Sequence, residues 1–155
     1  MKKVLVFVLI IYVLFILSLS VDAQSSRKTF AASKAITTQI SVLTKDSSTF
    51  RATVSKVNYI IRKGAHFFIY CFFAVILSLV AINFKFSLPR AWGYILFISL
   101  FIANVDELIQ RYVGGRSSQV KDCLIDLTGA AVGMMATFFI YTFMNKIRHN
   151  LDSKQ

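Results

Sequence analysis

Four long apolar runs dominate this chain and restrict what it can fold into. They occupy residues 4–20, 64–82, 91–110 and 122–144. Each run approaches the roughly 20 residues that an α-helix needs to cross about 30 Å of membrane hydrocarbon. The alternation typical of a transmembrane β-strand is absent, so the helix is the form that satisfies its own backbone hydrogen bonds in lipid. The sequence therefore predicts an all-α membrane protein with four transmembrane helices in a single domain, residues 1–155.

The composition agrees with this prediction and indicates which class of molecule the protein contacts. Apolar residues make up 56% of the 155 residues, which is too high for a soluble domain of this size. The counts of Gly, Pro and Cys (6, 1 and 2) exclude collagen-like, proline-rich and disulfide-scaffold proteins. A net charge of +11 suggests an anionic partner. We expect membrane lipids rather than nucleic acid, since no nucleic-acid motif is present and the basic residues are scattered.

The first apolar run permits a second interpretation. Met1-Lys2-Lys3 precedes it and Val21-Asp22-Ala23 follows it, a pattern that is also typical of a cleaved signal peptide. The run is long for such a peptide, and three further spans follow. We therefore predict that the first run is retained as a transmembrane helix.

A polar linker, residues 24–58, separates the first two spans. Apolar residues recur within and just after it at helical spacing: Ile36, Ile40, Leu43, Phe50, Val54, Val57 and Ile61. Lys and Arg fill much of the remainder. The pattern predicts one or two basic amphipathic helices lying on the lipid headgroups, and a solvated loop with chance periodicity is the alternative.

Acidic residues are concentrated on one side of the predicted membrane. The first span ends, the second begins, the third ends and the fourth begins on the same membrane face, which we call face X. Of the seven acidic residues, only Asp152 maps elsewhere. The residues on face X are Asp22, Asp46, Asp106, Glu107, Asp122 and Asp126. His66 also enters the membrane from face X.

Helical spacing gathers these polar residues into stripes. Arg62, His66 and Tyr70 repeat every four residues and share one face of the second span. Asp106 and Gln110 form the same spacing in the third span, and Asp122 and Asp126 do so in the fourth. In the fourth span the stripe continues into Gly129 and Gly133, which allow another helix to approach closely. Because polar residues at membrane depth face the interior of a bundle, we expect a water-accessible pocket at face X lined by three helices.

Several short motifs in this order resemble those of the VanZ-like family. They are Arg62-Lys63-Gly64-Ala65-His66-Phe67, Asp106-Glu107-Leu108-Ile109-Gln110, Gly115-Arg116-Ser117, Asp122 to Asp126, and Gly129-Ala130-Ala131-Val132-Gly133. The resemblance implies a bacterial, multi-pass protein of the cell envelope. The founding member of the family is associated with low-level resistance to the glycopeptide teicoplanin. The resemblance implies no particular reaction.

Two positions depart from the family pattern. The family motif His-Phe-x-Glu-Tyr carries Ile69 in place of its glutamate, and the usual Pro-Gly-Arg is Gly114-Gly115-Arg116. Any activity that requires that glutamate as an acid, a base or a metal ligand would be missing here. The expected fold does not depend on it.

The candidate site residues fall into two groups. The candidates for catalysis are His66, Asp106, Glu107, Asp122 and Asp126, which could move protons. The candidates for ligand binding are Arg62, Lys63, Gln110 and Arg116, where guanidinium groups could clamp a phosphate or carboxylate. The carboxylates also suit Mg²⁺ or Ca²⁺, and His66 would shift that preference toward Zn²⁺ or Mn²⁺. The simplest alternative is a structural network of ion pairs.

No established catalytic motif or metal-ligand spacing occurs, so we assign no metal and no cofactor and favour a non-enzymatic role. One hypothesis is that a pocket at face X handles an envelope lipid, a cell-wall precursor or a glycopeptide. A second is a scaffold in which polar residues only fix helix packing. A third is an acid/base or metal-dependent enzyme acting on a lipid-linked substrate.

The positions of the basic residues bear on how the protein is oriented in the bacterial cytoplasmic membrane. Face X carries 11 of the 18 Lys and Arg residues, which would place it in the cytoplasm. The basic start of the chain instead favours cytoplasmic N- and C-termini, with face X outside, because some of those 11 cations could be ion-paired. We expect the second orientation. The oligomeric state is not predicted.

Overall fold

The part of the chain that the structure describes is built from five α-helices. A computed structural model describes residues 2–22, 24–40, 47–113 and 120–153. The helices there are α1 (Lys2–Val21), α2 (Ser25–Ile40), α3 (Ser47–Asn83), α4 (Leu88–Tyr112) and α5 (Val120–Asp152). All of these except α2 are long and apolar enough to cross a membrane. The structure therefore confirms the predicted all-α architecture with four candidate spans.

Helix α3 is longer than the predicted second span. Its 37 residues extend about 55 Å, well beyond the roughly 30 Å of a hydrocarbon core. Residues 47–58, predicted to form part of a separate interfacial segment, are continuous with the span that follows. The physical reason lies in the sequence, because no proline interrupts residues 47–83 and the one glycine there, Gly64, is tolerated in a helix interior.

Helix α2 packs against α3 through small hydroxyl side chains. Ser33 and Thr37 are completely buried, and the hydroxyl oxygen of Ser33 lies 3.5 Å from Oδ1 of Asn58. Ile36, one of the apolar residues that recur at helical spacing in the linker, is 42% exposed. The packed face of α2 is therefore a polar one. The periodicity correctly predicts that a helix forms here but does not predict which side contacts the protein.

The core lies between the four long helices. Helix α5 packs against α3 and α4, and α1 packs against the same two helices. The buried apolar residues that form this core are Ile16, Tyr70, Phe73, Ala74, Leu77, Ala81, Ala91, Ile95, Ala103, Ala130 and Met134. On the outside of the bundle large apolar side chains such as Phe97, Phe101 and Phe139 are exposed. Such a surface is suited to lipid and not to water.

The backbones of α3 and α5 approach each other very closely. A Cβ atom added at Gly129 would overlap the backbone carbonyl of Phe67, and one added at Gly133 would overlap that of Cys71. The two glycines are four residues apart and lie on one face of α5. The predicted close approach is therefore present, and it holds the first turns of α5 directly against α3.

Candidate functional site

Polar side chains from all four long helices meet at one end of the bundle. Ser20 lies one residue before the end of α1, and Asp106 lies in the last two turns of α4. His66 comes from α3, and Asp126 from the second turn of α5. Antiparallel neighbours bring these positions to the same end, which is the end that the sequence analysis calls face X.

His66, Asp106 and Asp126 form the centre of this polar site. Nδ1 of His66 is 3.1 Å from Oδ1 of Asp126. One potential ligand atom from each of the three residues lies within 4.8 Å of the other two. Asp126 is completely buried and Asp106 is 4% exposed, while the side chain of His66 is 12% exposed. Three helices thus each contribute one ionisable group to a small, largely buried volume.

Asp106 is held by two neutral donors. The hydroxyl of Ser20 donates a hydrogen bond to its Oδ1, and Nε2 of Gln110 donates to the same oxygen at 2.7 Å. Ser20 and Gln110 are both almost completely buried. The predicted spacing of Asp106 and Gln110 therefore corresponds to a direct contact. A carboxylate that is oriented through one oxygen can offer its other oxygen to a ligand.

Lys63 and Asp122 form a separate ion pair between α3 and α5. The side chain of Asp122 is 1% exposed and that of Lys63 is 15% exposed. The ammonium group also lies 5.2 Å from the centre of the Tyr59 ring. Lys63 was predicted to bind a ligand together with Arg62, but the two side chains have different neighbours in the structure.

A cavity of about 180 Å³ adjoins the centre of the polar site. That volume corresponds to roughly six water molecules. Its polar lining includes Arg62, His66, Tyr70, Asp106 and Gln110, which come from α3 and α4. Apolar side chains from α1 and α3 line another part of it, and these are Ile16, Leu19 and Ile69. Polar side chains and this apolar wall therefore line the same cavity.

The helices that line the cavity differ from those predicted. The sequence indicated the second, third and fourth spans, whereas α1 and the first turns of α2 also contribute, through Ser20, Ser25, Ser26 and Thr29. No residue of α5 is among the described residues that line it. Asp126 contacts His66, which does line the cavity. Apolar runs do not show how far each helix is rotated about its axis.

Several polar atoms of the site have no protein partner. Among the described residues, no hydrogen bond reaches the hydroxyl of Tyr70, Oε1 of Gln110 or Oδ2 of Asp126. The same holds for both carboxylate oxygens of Glu107, although this residue is only 3% exposed. Buried polar atoms are normally satisfied by hydrogen bonds, so these atoms are candidates for contact with water or a ligand.

Sequence reasoning missed the contribution of Ser20. The available signal was a hydroxyl residue near the end of an otherwise apolar run, at the end of the first span that the antiparallel order places beside Asp106. Two residues assigned to face X, Arg116 and Asp46, lie outside the described residues. The ligand-binding prediction for Arg116 therefore stays a prediction.

These features define a class: a small multi-pass membrane protein with a buried cluster of histidine and carboxylates at one end of a four-helix bundle. The family model described as VanZ/LLP1 matches residues 4–142, and the chain therefore belongs to the VanZ/LLP1 family. The matched region contains the apolar part of all four long helices, including α1. A search of curated proteins and a search of solved structures each found no match.

Proposed function

We propose that this protein binds the polar headgroup of an envelope lipid or a lipid-linked cell-wall precursor in the cavity at face X. The observation that carries the proposal is the cavity itself, whose lining combines polar side chains from α1, α2, α3 and α4 with an apolar wall from α1 and α3. A ligand with a charged head and a hydrocarbon chain matches both surfaces. A soluble polar ligand would leave the apolar wall unused.

The polar groups suit a headgroup that carries a phosphate and hydroxyl groups. The guanidinium of Arg62 presents a fork of N–H donors that can bind a phosphate through two parallel hydrogen bonds. Asp106 and Oε1 of Gln110 are acceptors, and they would bind hydroxyl or amine hydrogens. A bare phosphate would be repelled by Asp106. A phosphorylated sugar or polyol satisfies donors and acceptors together.

The size of the cavity limits which part of the ligand enters it. A volume of about 180 Å³ admits one sugar-sized or phosphate-sized group and not a complete lipid-linked precursor. We propose that the hydrocarbon chain lies outside, along the apolar residues next to Leu19 and Ile69. Membrane-spanning helices contact lipid in any case, so such a ligand would arrive by diffusing within the bilayer.

Native mass spectrometry of the detergent-purified protein tests this proposal. We expect a phosphorylated lipid to co-purify with the wild-type chain, and Arg62→Gln to reduce its occupancy by about 10-fold to 100-fold, the usual value of hydrogen bonds to a charged group. The matched control is Arg148→Gln, which alters an exposed arginine at the far end of α5. Equal lipid occupancy in wild type and in folded Arg62→Gln would refute the proposal.

A non-catalytic scaffold is the second candidate function. It is favoured by the contacts that the site residues make with each other, above all Lys63 with Asp122 and His66 with Asp126. Alanine at His66, Asp106 or Asp126 separates the two functions. Normal folded yield with loss of bound lipid supports a binding site, whereas collapsed yield for all three variants supports a scaffold.

We also propose a role in glycopeptide resistance, with face X outside the cytoplasmic membrane and both termini in the cytoplasm. The support is family membership and the position of the cavity, since a cavity on that side would face the cell wall. Expression in a sensitive bacterium should raise the teicoplanin concentration that inhibits growth, and Asp106→Asn should abolish the rise. An unchanged inhibitory concentration would contradict the resistance role and leave the lipid measurement unaffected.

A further inference from the structure

We propose that His66, Asp106 and Asp126 form a binding site for a divalent transition metal, Zn²⁺ or Mn²⁺. The three residues come from α3, α4 and α5, so a bound ion would join three helices of the bundle. This inference does not depend on the proposed lipid. It concerns the group of carboxylates and imidazole beside the cavity, and it can be tested with metal alone.

The distances between the candidate ligand atoms are close to those around a bound ion. Two ligands that are each about 2.1 Å from a metal are roughly 3.0 to 3.4 Å apart at tetrahedral or octahedral angles. Nδ1 of His66 and Oδ1 of Asp126 are 3.1 Å apart. The whole group spans at most 4.8 Å, against about 4.2 Å for two ligands on opposite sides of an ion. Small side-chain movements would therefore complete the site.

Buried atoms without a partner provide a second, independent observation. Asp126 is completely buried, and its Oδ2 has no hydrogen-bond partner among the described residues. The carboxylate of Glu107 is also buried, and neither of its oxygens has a hydrogen-bond partner among the described residues. Several buried carboxylates close together are unfavourable unless positive charge accompanies them. A divalent cation would add positive charge at the centre of the group and would bind the unpartnered oxygen.

The surroundings of Asp106 have the form of a second shell around a metal. Metal-ligating carboxylates are usually hydrogen-bonded by neighbours that fix their orientation. Ser20 and Gln110 donate to Oδ1 of Asp106 from two different helices. His66 and Asp106 both line the cavity, which leaves room on that side for water or for a ligand phosphate to complete the coordination.

The donor set decides the class of metal. One imidazole nitrogen with two carboxylate oxygens suits Zn²⁺ or Mn²⁺ better than Mg²⁺ or Ca²⁺, which prefer oxygen ligands alone. A bridging water is the competing occupant of this volume. Water would satisfy Oδ2 of Asp126 by hydrogen bonding but would not offset the charge.

Metal titration of the purified protein tests the inference. The full chain would be stripped with a chelator in lipid-free detergent and then titrated calorimetrically with ZnCl₂, MnCl₂ and MgCl₂. We expect one Zn²⁺ or Mn²⁺ per chain, much weaker binding of Mg²⁺, and a higher melting temperature with the bound metal. His66→Gln and Asp126→Asn, which closely preserve side-chain size, should each weaken binding at least about 10-fold.

The control variants remove one imidazole and one carboxylate that lie outside the proposed metal site. His149→Gln and Asp152→Asn alter exposed residues near the end of α5 and should leave the affinity unchanged. Loss of binding in His149→Gln alone would assign the metal to the end of α5 and overturn the proposal. Binding no tighter than that of Mg²⁺, or equal affinity in folded wild type, His66→Gln and Asp126→Asn, would overturn it too and leave water as the occupant.

Discussion

At the scale of single residues, the adjacent side chains Arg62 and Lys63 on α3 contact different parts of the protein. Arg62 and Lys63 are separated by about 100° around the helix axis. Arg62 therefore lines the cavity, whereas Lys63 is directed toward α5 and pairs with Asp122. Lys63 has a structural partner that is almost completely buried. Its main effect should accordingly be on stability.

Removal of the Lys63 charge should destabilise the protein strongly. Lys63→Met leaves the buried carboxylate of Asp122 without its cation, and breaking such a pair from one side costs about 3–5 kcal/mol. Combining Lys63→Met with Asp122→Leu removes both charges and should recover most of the loss. The measurement is the free energy of unfolding in detergent.

A matched control is available on α2. Lys28 pairs with Asp22 at 2.9 Å, but its side chain is 67% exposed. Lys28→Met should therefore cost no more than about 1 kcal/mol. If Lys63→Met were no more destabilising than Lys28→Met, the buried pair would not have the structural role assigned to it here.

The sequence could predict which residues meet at face X, but it could not predict their pairing. Antiparallel order alone places His66, Asp106 and Asp126 at one end of the bundle. The choice of Lys63 over Arg62 as the partner of Asp122 depends on how α3 and α5 are rotated toward each other. No feature of a single sequence reports that rotation for two adjacent cations.

At the scale of helices, the contact between α3 and α5 depends on the absence of two side chains. Gly129 and Gly133 allow the backbones of the two helices to touch at Phe67 and Cys71. The obstacle to a larger residue is backbone, which cannot move aside as a flexible side chain can. Any added atom must therefore separate the helices.

Alanine at either glycine should destabilise the bundle. Gly129→Ala and Gly133→Ala place a methyl group against a backbone carbonyl, and overpacking of this kind typically costs about 1–3 kcal/mol. The measurement is thermal unfolding in detergent, together with the lipid occupancy of the cavity. The separation of the helices should also weaken the contact between His66 and Asp126, which lie within one turn of this seam.

Gly93 provides the control for that experiment. It lies within α4, and no heavy atom comes within 4 Å of a Cβ atom added there. Gly93→Ala should leave stability unchanged or raise it by up to about 1 kcal/mol, because glycine in a helix interior is entropically unfavourable. Equal stability of Gly129→Ala and Gly93→Ala would contradict the assigned role of the seam.

The length of α3 shows that apolar runs predict the membrane-spanning part of a helix but not its ends. Hydropathy correctly predicts the spans because a helix in lipid must be apolar along most of its length. It does not report where a helix ends in water, so residues 47–58 were assigned to a separate segment. The sequence did indicate a continuous helix, because no proline or other strong helix breaker separates residue 47 from the span.

At the scale of the whole molecule, the fold brings the few polar residues of four mainly apolar spans together in one site. Each long helix contributes only one to three buried ionisable or hydrogen-bonding residues at its face X end. The bundle brings them within a few ångströms, next to a cavity that is lined by α1, α2, α3 and α4. The presence of such a site follows from topology. Its volume and its apolar wall depend on side-chain packing and could not be derived from the sequence.

The direction in which that cavity faces can be measured by labelling introduced cysteines. We expect Ser55→Cys, exposed in the face X part of α3, to react with a membrane-impermeant maleimide in intact cells. Ser87→Cys, exposed between α3 and α4 at the opposite end, should react only after lysis. Both variants would be made with the native cysteines, Cys71 and Cys123, replaced by alanine.

The physical reason for this expectation is the basic start of the chain and not the total number of basic residues, which is larger on face X. Lys2 and Lys3 precede the first span, and short basic flanks of this kind are retained in the cytoplasm. Four antiparallel spans then return the C-terminus to the same side and leave face X outside. The reverse labelling pattern would place the cavity in the cytoplasm. Its ligand would then have to be a headgroup of the inner leaflet, and a direct action on extracellular glycopeptides would be excluded.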